Sequence, residues 1–205
     1  MPSLISFLSK QDQNALLDNL NYLNMEEIQR FCKTHSIPYK ITFEDADGKI
    51  KLTNEKDRKG IILTRIRSFL KTGKVPPATC FRKSIVRLPA EVSKTLKANS
   101  RIYFGHYDKK NKAMIGLLKK LTDNKFKDGA VARILIREFW SDGIAPTYQQ
   151  FAKLWQQAIA ERKKPNPEWA FLADLAAGKD IDDWKTTRNK VAKSVIKILN
   201  QINPQ

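Results

Sequence analysis

Apolar residues recur at the spacing of an α-helix along most of this chain, and this periodicity constrains the fold more than any other feature. In the first half it predicts helices over residues 25–35, with Asn24 as the N-cap, and over residues 57–71. In the second half it predicts helices over residues 111–121, 129–140, 147–162, 168–176 and 182–202. Each stretch has an apolar side that must pack against a neighbour. We therefore expect a mainly α fold.

One segment of the first half alternates between apolar and polar residues instead. Residues 39–43 and 49–52 alternate in this way on both sides of a turn that ends in Asp47-Gly48. Alternation around an Asp-Gly turn predicts a β-hairpin. The predicted parts of the chain are thus a helix-hairpin-helix unit over residues 1–80, a linker over residues 81–100 and an all-helical domain over residues 101–205.

The charge of the chain indicates what kind of partner it binds. Its 38 Lys and Arg residues outnumber its 21 Asp and Glu residues, which gives a formal net charge of +17 at pH 7. A surface this basic attracts polyanions, which include nucleic acids, anionic membranes and acidic proteins. No run of roughly 18 apolar residues occurs, and residues 1–8 lack the basic start of a signal peptide, so we expect no membrane contact. Cys32 and Cys80 are expected to be buried thiols, and this together with the missing signal peptide predicts a cytoplasmic protein. Its positive charge then favours nucleic acid as the partner.

Two helical segments of the first half share their order and residue types with a known motif. The matching residues are Ile28, Phe31 and Cys32 as the core of the first helix, Ile37-Pro38 as its end, and Lys59-Gly60-Ile61-Ile62-Leu63-Thr64-Arg65-Ile66 as the second helix. A second helix that opens with Lys and Gly before such an apolar run is typical of the SAP-type DNA-binding motif. Residues 23–72, about a quarter of the chain, resemble that motif.

The same segment departs from the SAP pattern in two places. Ser36 stands where a Gly is common, and the predicted hairpin lengthens the loop between the two helices. The complete chain also looks like uncharacterised bacterial proteins that carry a SAP-like segment ahead of a helical region. The resemblance implies that the chain binds duplex DNA, often A·T-rich, through the start of the second helix.

A helix start suits phosphate on physical grounds as well. The backbone N–H groups of its first turn lack intrahelical partners, and the positive end of the helix dipole lies there. The predicted DNA contacts of this segment are Lys56, Arg58, Lys59, Gly60 and Arg65. The alternative is that these basic residues only solvate a surface helix.

A second candidate interface lies between residues 130 and 160. A predicted helix leads through Gly143-Ile144-Ala145-Pro146 into a second helix with Thr147 as its N-cap. This pattern looks like the helix-turn-helix of bacterial SOS repressors. The resemblance implies that four residues face the major groove, where Gln can bind adenine through two hydrogen bonds, namely Tyr148, Gln149, Gln150 and Lys153. An ordinary helical hairpin is the alternative.

Two further basic segments are candidates for nucleic-acid contact. Tyr103, Phe104 and Tyr107 lie in the basic stretch 101–110, and they could stack on the bases of a single strand or pack against neighbouring helices. In the last predicted helix, cationic residues recur at near-helical spacing and predict a second phosphate contact. The residues of this contact are Lys185 and Arg188, followed by Lys190, Lys193 and Lys197.

The sequence contains no motif that indicates catalysis. His35 and His106 are its only histidines, and neither has the spacing of a metal site or a catalytic triad. We therefore expect a non-catalytic protein without a metal or other cofactor. Its expected partner is duplex DNA, with single-stranded nucleic acid or an acidic protein as further possibilities. A protein-interaction adaptor with a helical docking domain is the main alternative, and a metal-dependent nuclease is less favoured.

Overall fold

The computed structural model describes residues 3–86, 95–161 and 181–202, without the side chains of residues 181–184. The described helices are α1 (Lys10–Asn19), α2 (Met25–Thr34), α3 (Lys59–Thr72), α4 (Lys112–Leu121), α5 (Ala130–Ser141), α6 (Tyr148–Glu161) and α7 (Ile181–Leu199). The described strands are β1 (Lys40–Glu44), β2 (Ile50–Lys56) and β3 (Cys80–Phe81), which form a sheet of order β2-β1-β3. The fold of this part of the chain is therefore mainly α with one small sheet. The helix predicted over residues 168–176 lies outside the described residues.

The chain divides into two compact units, each built from separate stretches of sequence. The first unit takes residues 1–40, 55–78 and 165–205, and the second unit takes residues 41–54 and 79–164. The sequence instead predicted an N-terminal unit that ends at residue 80 and a helical domain that begins at residue 101. The difference arises because Ile41 of β1 belongs to the core of the second unit, whereas Val195 and Leu199 of α7 belong to the core of the first.

In the first unit, α1, α2, α3 and α7 surround an apolar core, whose fully buried members include Leu20, Ile28, Ile62, Ile66 and Leu70. A reciprocal cap fixes the start of α2. The Glu27 N–H donates to Asn24 Oδ1 over 2.9 Å, and the Asn24 N–H donates to Glu27 Oε2 over 2.7 Å. This confirms Asn24 as the N-cap. At its C-terminus α3 ends at Gly73, whose φ of 68° is the left-handed conformation that favours glycine.

A buried ion pair joins Arg65 of α3 to Asp57, which lies two positions before that helix. Arg65 Nη1 lies 2.6 Å from Asp57 Oδ2, and their side chains are only 8% and 2% exposed. The same guanidinium donates to Pro38 O over 3.0 Å, and the Asp57 N–H donates to Tyr39 O over 2.9 Å. These contacts fix the backbone from which α3 begins.

In the second unit, α4, α5 and α6 pack around aromatic side chains. The Phe81 ring centroid lies 5.8 Å from that of Trp140, and the Phe126 centroid lies 5.1 Å from that of Trp155. Trp140 donates from Nε1 to Ile102 O over 3.0 Å, so its nitrogen is satisfied inside the core. Strand β1 pairs in parallel with β3 and brings its residues into this unit.

The hairpin formed by β1 and β2 closes around Asp45. Asp45 Oδ1 accepts hydrogen bonds from the Asp47 N–H (3.0 Å) and the Lys49 N–H (2.9 Å). Its Oδ2 lies 2.8 Å from Lys51 Nζ, and this contact lowers the pKa of Asp45 and raises the pKa of Lys51.

Cys32 and Cys80 are both free thiols, the first buried and the second half-buried.

Candidate nucleic-acid interface

The start of α3 carries four of the predicted DNA contacts. The helix begins at Lys59 after Arg58, which has extended backbone angles, and no side chain forms a cap there. No acidic residue lies in the first turn. Lys56 is exposed, and Arg58, Lys59 and Gly60 are half-buried. The positive end of the α3 dipole therefore has basic residues around it and no side-chain oxygen that caps it.

The prediction that Arg65 contacts DNA is wrong, because its guanidinium is buried against Asp57 and Pro38 O. A phosphate could reach it only if that ion pair opened. The sequence did contain a signal for this placement. Arg65 falls at helical spacing with the buried residues Ile62, Ile66 and Phe69, so it lies on the apolar side of α3.

Three basic side chains meet at the turn that follows α1. Lys59 Nζ donates to Asn21 O, Arg67 Nε donates to Leu17 O over 3.1 Å, and Arg67 Nη2 donates to Asn21 Oδ1 over 3.2 Å. From α7, Arg188 Nε donates to Tyr22 O over 3.0 Å. We refer to Lys59, Arg67 and Arg188 as the Asn21 cluster. Its acceptors in these contacts are three backbone carbonyl oxygens and one side-chain amide oxygen, which hold the cations in place.

Arg188 has a second contact, because its Nη2 also donates to Glu27 Oε2. It therefore joins α7 to the capped start of α2, and its side chain is only 17% exposed. Direct phosphate contact, as predicted for Arg188, competes with these bonds. The spacing of basic residues in the sequence predicted the cationic face of α7. It could not predict that Arg188 contacts Glu27, because the two residues are 161 positions apart. The other basic side chains of that face are exposed, namely Lys185, Lys190, Lys193 and Lys197.

The second candidate interface has a different arrangement from the one that the helix-turn-helix resemblance implies. Tyr148 is only 2% exposed, and burial raises its pKa to about 12. The prediction that it faces the major groove is therefore wrong. It falls at helical spacing with Phe151, Ala152 and Trp155, which are the other buried residues of α6.

The start of α6 is already occupied by protein groups. Gln150 forms a reciprocal cap with Thr147, with bonds of 2.9 Å and 3.1 Å. The Tyr148 N–H donates to Ser100 O over 3.1 Å, and the Gln149 N–H donates to Ala98 O over 3.0 Å. The first N–H groups of this helix are thus unavailable to a phosphate. Of the four predicted contacts, Tyr148 is buried and the Gln150 side chain takes part in the cap. The side chains of Gln149 and Lys153 are exposed and take no part in the cap.

The aromatic residues of the basic stretch 101–110 pack inside the second unit. The Phe104 ring centroid lies 4.9 Å from that of Phe81, and the Tyr107 centroid lies 5.7 Å from that of Phe151. Tyr107 donates from its hydroxyl to Asp128 Oδ1 over 2.8 Å, and burial together with this bond raises its pKa. Phe104 and Tyr107 therefore pack within the second unit, as the packing interpretation expects, and base stacking by residues of this stretch stays a prediction.

Comparisons with models of protein families, with curated proteins and with solved structures found no match. The resemblance of residues 23–72 to the SAP motif therefore stays a prediction.

Within the described residues, no group of three or more His, Cys, Asp and Glu side chains is placed to hold a metal ion. None of the described helices has the length and apolar character that crossing a membrane requires.

Proposed function

We propose that the protein binds the phosphate backbone of duplex DNA, without catalysing a reaction, through the start of α3 and the basic side chains of the first unit. The observation that carries this proposal is the arrangement at α3. The N-terminus of α3 has no side-chain cap, Lys56 and Arg58 precede it in the sequence, and its first residue, Lys59, belongs to the Asn21 cluster. Backbone N–H groups and fixed cations are the two features that bind phosphate at helix starts.

The residues of this interface have different roles. Lys56 and Lys185 have exposed side chains and supply positive charge at the surface. Gly60 has no side chain, so a phosphate oxygen can approach the backbone of the first turn closely. Lys59 and Arg67 of the Asn21 cluster add positive charge held in place, whereas Arg188 is paired with Glu27. Such charges attract the DNA backbone over a Debye length of roughly 10 Å at about 0.1 M salt. In the second unit, exposed Gln149 and Lys153 are candidates for a further contact.

Fluorescence anisotropy with labelled duplex DNA, single-stranded DNA and duplex RNA tests the proposal. We expect the duplex DNA to bind most tightly. The double variant Lys56→Glu/Lys185→Glu should weaken that binding at least about tenfold, which corresponds to the loss of one or two phosphate contacts. Both residues are exposed, so the fold should remain intact.

Lys119→Glu/Lys120→Glu is the matched control for this experiment. It makes the same charge change at two exposed residues in the last turn of α4, in the second unit. We expect a clearly smaller loss of affinity than for the first pair. An equal loss would mean that only the net charge matters, and tighter binding to single strands or RNA would reject the choice of duplex DNA.

A protein-interaction adaptor is the second candidate, and one observation favours it. Ile50 and Leu52 lie on β2, which is at the edge of the described sheet, and they are 62% and 63% exposed. An exposed apolar edge strand can pair with a strand of another protein. A stoichiometric partner that survives nuclease treatment and is lost in Ile50→Lys/Leu52→Lys would support this function over DNA binding.

A further inference from the structure

The first unit contains a cavity of about 310 Å³ between α2 and the C-terminal end of α7. Its apolar lining consists of Leu23, Phe31, Ile196, Leu199 and Ile202. Its polar lining consists of Glu27, Arg30, Thr34, His35 and Asn200. Small-molecule sites usually measure roughly 300–1,000 Å³ and combine mostly apolar walls with a few polar groups. The cavity matches that description at its lower end.

His35 is the polar group in the wall of this cavity whose bonding is incomplete. It is only 6% exposed, and its ring centroid lies 4.3 Å from that of Phe31 and 5.3 Å from that of Phe69. Its Nδ1 is buried and has no hydrogen-bond partner among the described residues. Buried polar atoms in native proteins are nearly always paired with protein, water or ligand. An unpaired imidazole nitrogen in a cavity wall therefore indicates a missing partner.

The charged residues around the cavity differ in what they can offer a ligand. The Glu27 carboxylate already accepts hydrogen bonds from the Asn24 N–H and from Arg188. Arg30 has only a weak partner, since its Nη2 lies 3.6 Å from Glu26 Oε1 and both side chains are more than three-quarters exposed (76% and 83%). The charge most readily offered to a ligand at the rim is therefore positive.

From these observations we propose that the cavity binds a small monocarboxylate with an apolar body. The apolar body lies against Phe31, Leu199 and their neighbours, the carboxylate is bound by Arg30 at the rim, and the imidazole of His35 supplies a hydrogen-bonding group in the wall. The size of the cavity excludes a folded protein as its occupant. This site uses α2 and the end of α7, and its function does not depend on DNA binding.

Nuclear magnetic resonance can test this site directly, because His35 and His106 are the only histidines of the chain. The full-length protein is titrated with sodium octanoate, and the two sets of imidazole signals are assigned with a His106→Gln variant. We expect the His35 signals to shift and saturate, while the His106 signals stay in place. Sodium acetate, which has the carboxylate without the apolar body, should leave both unchanged. Absence of a saturating shift at His35, or equal shifts at both histidines, would overturn the proposal.

Two surface variants test the roles of the lining residues. Arg30→Gln should raise the Kd for octanoate about tenfold, because one charge-assisted hydrogen bond is lost. Lys33→Gln is the control, since it removes the same charge from an exposed position of α2 that does not line the cavity. Thr34→Trp, at an exposed position on the rim, should abolish the His35 shift by filling the cavity. Equal effects of Arg30→Gln and Lys33→Gln, or equal binding of neutral 1-octanol, would overturn the assignment of a carboxylate.

Discussion

Replacing Arg65 by Met should destabilise the first unit strongly, because it leaves the Asp57 carboxylate buried without its cation. The pair is 2.6 Å apart, and the Asp57 side chain is 2% exposed, so water cannot replace the lost partner. Removal of one member of such a pair costs about 3–5 kcal/mol. That is a large share of the roughly 5–15 kcal/mol by which a typical domain is stable. The sequence places Asp57 just before α3, so the loss should also disorder the proposed DNA contact.

Thiol labelling of Cys32 provides an assay that reports on the first unit alone. Cys32 is completely buried in that unit, and burial raises its pKa to about 12, so it reacts only when the unit opens. In a Cys80→Ser background, Arg65→Met should accelerate labelling by roughly 150- to 5,000-fold. The double variant Arg65→Met/Asp57→Leu, which leaves no unpaired charge, should recover most of the loss. Labelling of Arg65→Met at the wild-type rate, or a double variant as unstable as the single one, would refute the reasoning.

Further predictions concern pH, the α6 core and the α2 cap. Burial lowers the pKa of His35, so on acidification the unfolded chain binds a proton at a higher pH than the folded chain does, and stability is lost as the pH falls. The urea concentration at the unfolding midpoint should therefore be lower at pH 5.5 than at pH 7. This difference should be smaller in His35→Phe. Tyr148→Ala should cost about 3–5 kcal/mol in urea unfolding, whereas exposed Gln149→Ala should cost under about 0.5 kcal/mol, and equal costs would contradict the burial of Tyr148. Asn24→Ala should cost about 1 kcal/mol by the same measurement, and no change would argue against its capping role.

Local signals in the sequence were sufficient to locate most described elements. The predicted helix at residues 57–71 is α3 at Lys59–Thr72, and that at 129–140 is α5 at Ala130–Ser141. Capping residues and the 3.6-residue period are properties of a few neighbouring positions, so one sequence shows them directly. The Asp-Gly turn located the hairpin for the same reason.

Long-range packing decided what the sequence did not show. The assignment of β1 to the second unit depends on its pairing with β3, which lies 38 positions further on at Thr42 and Cys80. The position of Arg188 likewise depends on its contact with Glu27. No local pattern encodes such pairings. Arg65 and Tyr148 are different cases, because each lies at helical spacing with the buried residues of its helix, and that spacing indicates burial from the sequence alone.

The salt dependence of duplex DNA binding tests the central claim most directly. Each phosphate contact contributes about 0.9 to the negative slope of log affinity against log salt concentration. We predict a steep negative slope for the wild-type protein, a slope smaller by about 2 for Lys56→Glu/Lys185→Glu, and a slope close to wild type for Lys119→Glu/Lys120→Glu. Absent binding, a flat slope, or identical slopes for the two double variants would contradict the assignment of the first unit as the DNA-binding surface.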